Sequence, residues 1–158
     1  MKLEGSCHCR KVNFQIDSKH PYPFNLCYCS ICMKTAGGGG YAINLGGDFS
    51  SLKVSGGRSI SIYKATRSNG TGLSECERRF CKHCGSALWV WDKRWPMLIH
   101  PFASAIDTPL PLPPSRTHLM LSSKQDWVEP EIRELDWKFE EYPLESIEEW
   151  HKKYDLEK

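Results

Sequence analysis

Seven of the eight cysteines in this chain fall into three short runs. Cys7 and Cys9 form a C-x-C, Cys27, Cys29 and Cys32 a C-x-C-x-x-C, and Cys81 and Cys84 a C-x-x-C. Two thiolates one or two residues apart on a turn can reach the same ion, and zinc takes about four such ligands in a tetrahedron. The segment Phe80-Cys81-Lys82-His83-Cys84-Gly85 reads as a zinc knuckle. Its Gly85 can take φ > 0, which folds the chain back and turns backbone N–H groups toward sulfur.

Two blander explanations are weaker. Eight is an even number and would suit a disulfide framework, but a chain of 158 residues buries roughly 68–70% of its unfolded surface and needs no staples. Cysteine is also a good small core residue, yet one- and two-residue clustering does not follow from core packing. For Cys76, which stands outside the runs, core packing is the better reading. The number seven matters. Two pairs close one tetrahedral site, and the triplet leaves a second site with a free position, as in catalytic rather than structural zinc. An eighth ligand from Cys76, His8, His83 or His100 would close both sites. Spacing alone does not say which runs pair.

Composition narrows the class. Lys plus Arg is 21 against 19 for Asp plus Glu, a formal charge of +2, so neither a nucleic-acid nor a membrane-surface partner is expected. Charged residues make up 25% and hydrophobic residues 40%, as in ordinary globular proteins. No run approaches the roughly 20 apolar residues of a membrane span. The opening MKLEGSCHCRKV has no apolar h-region, so no signal peptide is expected. The expected compartment is the cytoplasm, with the nucleus also open, where thiols stay reduced.

Gly5-Ser6-Cys7-His8-Cys9, the segment at residues 27–37 (CYCSICMKTAG) and the segment at residues 79–88 (RFCKHCGSAL) resemble the glutathione-dependent formaldehyde-activating enzyme family, which also contains centromere protein V. A stretch at residues 114–127, with His118, Ser122 and Trp127, resembles that family's late P…H…S…W pattern. The likeness covers about residues 3–130. It implies a mainly β zinc fold, the β-tent, built from several short antiparallel strands and followed here by a C-terminal helix. It implies two zinc ions. Cys7, Cys9, Cys81 and Cys84 would hold a structural one, while Cys27, Cys29 and Cys32 would hold a catalytic one whose fourth place is open to water or to the thiol of glutathione. Three local departures lie beside the metal runs: Arg10 where a Gly is usual, Tyr28 where a His is usual, and four glycines at residues 37–40.

The rest of the chain reads as one domain, residues 1–158. Val12, Phe14 and Ile16 alternate with polar residues as in a half-buried strand. Residues 41–45, 77–80, 87–91, 97–100 and 118–121 are further strand candidates, and residues 30–35 a helical turn. Residues 52–55 and 58–64 flank Gly56-Gly57, a hairpin signal. Asn69-Gly70-Thr71 matches a glycosylation acceptor, fortuitous without secretion. The proline-rich run at residues 108–114 reads as a rigid loop rather than a polyproline ligand. Residues 143–154 predict a helix, acidic early and basic late, with Leu144, Ile147, Trp150 and Tyr154 as its apolar stripe.

Three thiolates on Zn²⁺ give a site of net charge −1, better suited to thiol chemistry than to water activation. A coordinating thiol is deprotonated at neutral pH. The fitting chemistry is carbon–sulfur bond formation or lysis on an adduct of glutathione or a similar thiol with an aldehyde. Glutathione carries two carboxylates, so Lys34, Arg78, Arg79, Lys82 and Arg116 are candidate partners, and Tyr41, Trp89, Trp91, Trp95 and Trp127 candidate pocket walls. The competing reading is a non-catalytic zinc module that binds another protein.

Overall fold

The computed structural model describes residues 1–67 and 70–156. Asn69 of the acceptor triplet lies outside them. In chain order the strands are β1 (Lys2–Ser6), β2 (Asn13–Asp17), β3 (Phe24–Cys27), β4 (Ala42–Asn44), β5 (Gly47–Asp48), β6 (Lys53–Ser55), β7 (Ile60–Tyr63), β8 (Cys76–Cys81), β9 (Ala87–Asp92), β10 (Leu98–Pro101), β11 (Arg116–Leu119) and β12 (Trp137–Lys138). Helix α1 (Ser30–Ala36) follows β3, and helix α2 (Ile147–Lys153) lies near the C-terminus. The fold is mainly β, as the sequence predicts. The described residues group into two compact units, one of Met1–Lys19 with Gly47–Leu110, the other of His20–Gly46 with Pro111–Lys158.

The first unit holds two antiparallel sheets, ordered β1-β2-β6 and β5-β10-β9-β8-β7. Alternation decides their inner faces. Leu3 and Gly5 of β1, and Phe14 and Ile16 of β2, point inward while their neighbours face out. Phe14 meets Trp89 of β9 edge-on at 5.1 Å between ring centres. A Cβ on Gly5 would collide with the Phe14 ring, so the missing side chain lets the ring lie against β1.

The hairpin predicted across Gly56-Gly57 does not form. β6 pairs with β2 and β7 with β8, so the two strands belong to different sheets. Gly56 adopts φ +78, and a Cβ there would strike the Lys11 carbonyl. The glycine pair starts a 3₁₀ turn at Gly57–Ser59 that carries the chain from one sheet to the other. The same dipeptide therefore serves a crossover, because both connections need one residue with positive φ.

The second unit has one four-stranded sheet, ordered β12-β11-β3-β4. β3 and β4 are antiparallel, but β11 runs parallel to both β3 and β12, unlike the antiparallel pairing expected throughout. Helix α2 is shorter than predicted. Ser146 caps it, its hydroxyl accepting from the Glu149 N–H while the Glu149 carboxylate accepts from the Ser146 N–H. Leu144, placed in the apolar stripe, precedes this cap and is 98% exposed. Trp150 is buried and packs near Tyr22 and Tyr154. His151 Nε2 meets the Tyr22 carbonyl at 2.8 Å, which fixes the helix to the segment leading into β3.

Candidate metal centres

The first cluster is built by two turns of the first unit. After β1 the chain reverses through residues 7–12, with the Cys7 N–H donating to the Val12 carbonyl at 3.0 Å and the Arg10 N–H to the Cys7 carbonyl at 2.9 Å. Between β8 and β9 it reverses again, with the Gly85 N–H donating to the Cys81 carbonyl at 2.8 Å and Gly85 at φ +74, as the knuckle reading requires. These turns bring Cys7, Cys9, Cys81 and Cys84 together, all four sulfurs lying within 4.8 Å of one another. Cys7 and Cys9 are 3.6 Å apart at sulfur, Cys9 and Cys81 3.8 Å. A zinc tetrahedron with arms near 2.3 Å has edges of about 3.8 Å, so these two pairs already stand at the spacing such an ion needs. Cys7 and Cys81 are fully buried, and Cys9 and Cys84 face outward. The Val12 N–H donates to Cys7 Sγ at 3.2 Å. A hydrogen bond with the Ser86 hydroxyl, together with backbone donors, lowers the Cys84 thiol to about 5. The Cys84 shift favours thiolate, the form a metal binds.

Arg10 explains its own departure from glycine. It sits at φ 61, a region costly for most side chains. Its guanidinium reaches Ser6 Oγ at 2.8 Å and Asp107 Oδ2 at 3.0 Å, bonds that glycine would lack.

The second cluster lies in the second unit. Cys27 is the last residue of β3, Cys29 the N-cap of α1, and Cys32 stands in its first turn. The strand-to-helix change compresses the C-x-C-x-x-C so that its three sulfurs lie within 4.8 Å of one another. The Cys32 N–H donates to Cys29 Sγ at 3.3 Å, so the candidate ligand is also the helix cap. Cys27 and Cys32 are buried, while Cys29 is half-exposed. Hydrogen bonds from Cys27 and Cys32 hold the Cys29 thiol far below its ordinary range, whereas that same sharing, with burial, pushes Cys27 far above it. Three sulfurs this close cannot all ionise on their own, but a cation among them removes that conflict. The donor set therefore fits a soft or borderline divalent metal. Cys76, His8, His83 and His100 join neither cluster among the described residues.

The candidate glutathione partners separate. Lys34 stands on α1, in the last turn of the helix that carries Cys32. Arg116 is engaged elsewhere: its Nε meets Asp136 Oδ2 at 2.8 Å and its terminal nitrogen contacts the Glu131 carbonyl at 2.5 Å. Arg78, Arg79 and Lys82 belong to the first unit, where Arg79 pairs with Glu77. Of the candidate wall residues, Trp89 is core, Trp91 lies against Phe49, and Trp95 is covered by the Arg94 guanidinium. Only Tyr41 and Trp127 of that set share a unit with the three-cysteine cluster. Tyr41 packs on Tyr28, and Trp127 stands 64% exposed over Gly40.

Sequence reasoning missed Asp136 altogether. No motif surrounds it, and its partners Arg116 and His118 lie 20 and 18 residues away.

A family model described as glutathione-dependent formaldehyde-activating enzyme matches residues 2–122. A Halomonas elongata protein, named provisionally as a glutathione-dependent formaldehyde-activating enzyme, is 62% identical over 157 residues, covering 99% of each chain. A crystal structure of a Rhodobacter sphaeroides protein shares the fold with a TM-score of 0.54 at 22% identity, covering 70% of this chain and 92% of its own. With the family pattern spanning both cysteine clusters and a relative matched end to end, the chain belongs to the glutathione-dependent formaldehyde-activating enzyme family.

Proposed function

We propose that the chain is a zinc-dependent carbon–sulfur lyase acting on the adduct of glutathione, or a similar thiol, with a small aldehyde. The carrying observation is the asymmetry of the two clusters: four sulfurs, two of them fully buried, in one unit and three sulfurs with a half-exposed member in the other. The four-cysteine site is structural in this reading. Zinc, if held in the three-cysteine site, would supply a place where an incoming thiol is kept as thiolate at neutral pH. In the synthetic direction the sulfur pair forms the C–S bond to the aldehyde carbon. The carbonyl π electrons move to oxygen, which takes up one proton in place of the one the thiol gave up, and lysis is the reverse. Cys27, Cys29 and Cys32 are the residues that would hold the metal, and Lys34, on the helix that carries Cys32, is the cation that would meet a glutathione carboxylate.

Metal analysis and thiol titration test this. The expected result is two zinc ions per chain, with one changing its coordination when glutathione is added. Cys29→Ser is expected to abolish turnover of a glutathione–formaldehyde adduct while leaving the chain folded. One zinc per chain, or two that ignore thiols, would favour the non-catalytic binding module.

A further inference from the structure

We infer that Tyr28, His118 and Asp136 are positioning residues for the three-cysteine centre, forming a buried hydrogen-bond chain that holds the one residue between two of its ligands. The inference rests on the reading of that cluster as a metal centre. Tyr28 is 1% exposed, and the side chains of His118 and Asp136 are fully buried. Tyr28 Oη lies 2.8 Å from His118 Nδ1, and the two rings stack with 15° between their planes. His118 Nε2 lies 3.3 Å from Asp136 Oδ2. The Asp136 carboxylate accepts from the backbone N–H groups of Arg116 at 2.8 Å and Arg133 at 2.9 Å. It also accepts from the side chains of Arg116 at 2.8 Å and Arg133 at 3.0 Å.

Donor chemistry gives the chain a direction. An ionised carboxylate only accepts, so the His118 proton belongs on Nε2. Burial favours the neutral imidazole. Nδ1 is then an acceptor, and the Tyr28 hydroxyl must donate to it. The bond is thereby committed to His118, and the hydroxyl has no second proton to give a thiolate.

The mechanical consequence follows from chain position. Tyr28 is the single residue between Cys27 and Cys29. Its N–H donates to the Leu119 carbonyl at 3.1 Å, while its hydroxyl is held by the adjacent residue of the same strand, His118. Backbone and side-chain tip are both tied to β11, at the place where β3 ends and the chain turns into α1. Outer partners of metal centres ordinarily bond the ligand itself, and losing them weakens the metal 10- to 100-fold. A cysteine sulfur has no second ring nitrogen to hold, so the support here acts on the peptide linking two ligands. Phenylalanine would fill the same space without the tie.

Zinc transfer from the holoprotein to a chromophoric chelator tests this, using the parent, Tyr28→Phe, His118→Phe and the double variant. The parent is expected to bind two zincs. Tyr28→Phe should weaken one of them roughly 10- to 100-fold and leave the other unchanged. The double variant should be no weaker than the weaker single variant, since both break one chain. In the cobalt-substituted protein, the thiolate-to-metal band of one site should shift while that of the other does not. Unchanged zinc affinity in Tyr28→Phe, equal weakening of both metals, or additive losses would overturn the inference alone. If His118→Phe does not fold, Tyr28→Phe decides by itself. A parent chain holding one zinc would overturn the metal reading and this inference with it.

Discussion

Exchanging one ligand in each cluster should have unequal costs. In the first cluster a bound ion would join Cys9 to Cys81 across 72 residues of chain, whereas in the second it would span only residues 27 to 32. Loop-closure entropy scales as (3/2)RT ln n, so losing the long link costs about 2.4 kcal/mol more than losing the short one. Structural zinc sites add binding free energy on the order of 10 kcal/mol, comparable to the whole stability of a typical domain. Cys81 is fully buried, so a serine hydroxyl there also loses solvation without a partner. Cys29 is half-exposed and its serine can still cap α1, a role serine fills well. Urea unfolding of Cys81→Ser and Cys29→Ser in parallel, followed by near-UV circular dichroism, measures the difference. Cys81→Ser is expected to be unfolded or more than 2 kcal/mol less stable than Cys29→Ser. Equal losses, or a larger loss for Cys29→Ser, would refute the division between a structural and an open site.

Acid should erase the contribution of Asp136. Burial opposes its ionisation, but backbone and side-chain bonds from Arg133 and Arg116 outweigh burial and hold its carboxyl well below the ordinary range. A group depressed on folding contributes stability above its unfolded pKa of about 3.9 and loses it as pH falls toward the folded value. The stability gap between parent and Asp136→Asn should therefore be full at pH 7 and shrink steadily below about pH 4, as read by denaturant midpoints. A constant gap would contradict that sign. Gly40→Ala should destabilise by about 1–3 kcal/mol in the same assay, because Gly40 has φ +94 and a Cβ would collide with Val128.

The cysteine clusters were legible because short cysteine spacing is local. C-x-C and C-x-x-C mark candidate ligands without any knowledge of the fold, while the joining of Cys7 and Cys9 with Cys81 and Cys84, which the structure shows, was implied by the family resemblance and not by spacing. Alternation found β2, and the Gly85 turn behaved as its residue type demands. What failed was long-range pairing. Gly56-Gly57 carries the same conformational freedom in a hairpin and in a crossover, and only partners such as the Lys11 carbonyl decide between them. The start of α2 was misplaced by counting Leu144 in its stripe, although Ser146-x-x-Glu149 carries a capping-box signature. Asp136 was invisible because, of its partners Arg133, Arg116 and His118, only Arg133 is local, and the other two are brought to it by folding. Tyr28 was noticed only as an unusual neighbour of two ligands.

The interleaving of the two units sets an order on their birth. The three-cysteine run is complete once residue 32 has been synthesised, while Cys7 and Cys9 wait for Cys81 and Cys84. At roughly 5 to 20 residues per second, the 72-residue gap between Cys9 and Cys81 leaves the early pair unmatched for roughly 4 to 14 seconds on the ribosome. A nascent chain thus offers a lone dithiol to oxidants and stray ions before the partner that will enclose it has been translated.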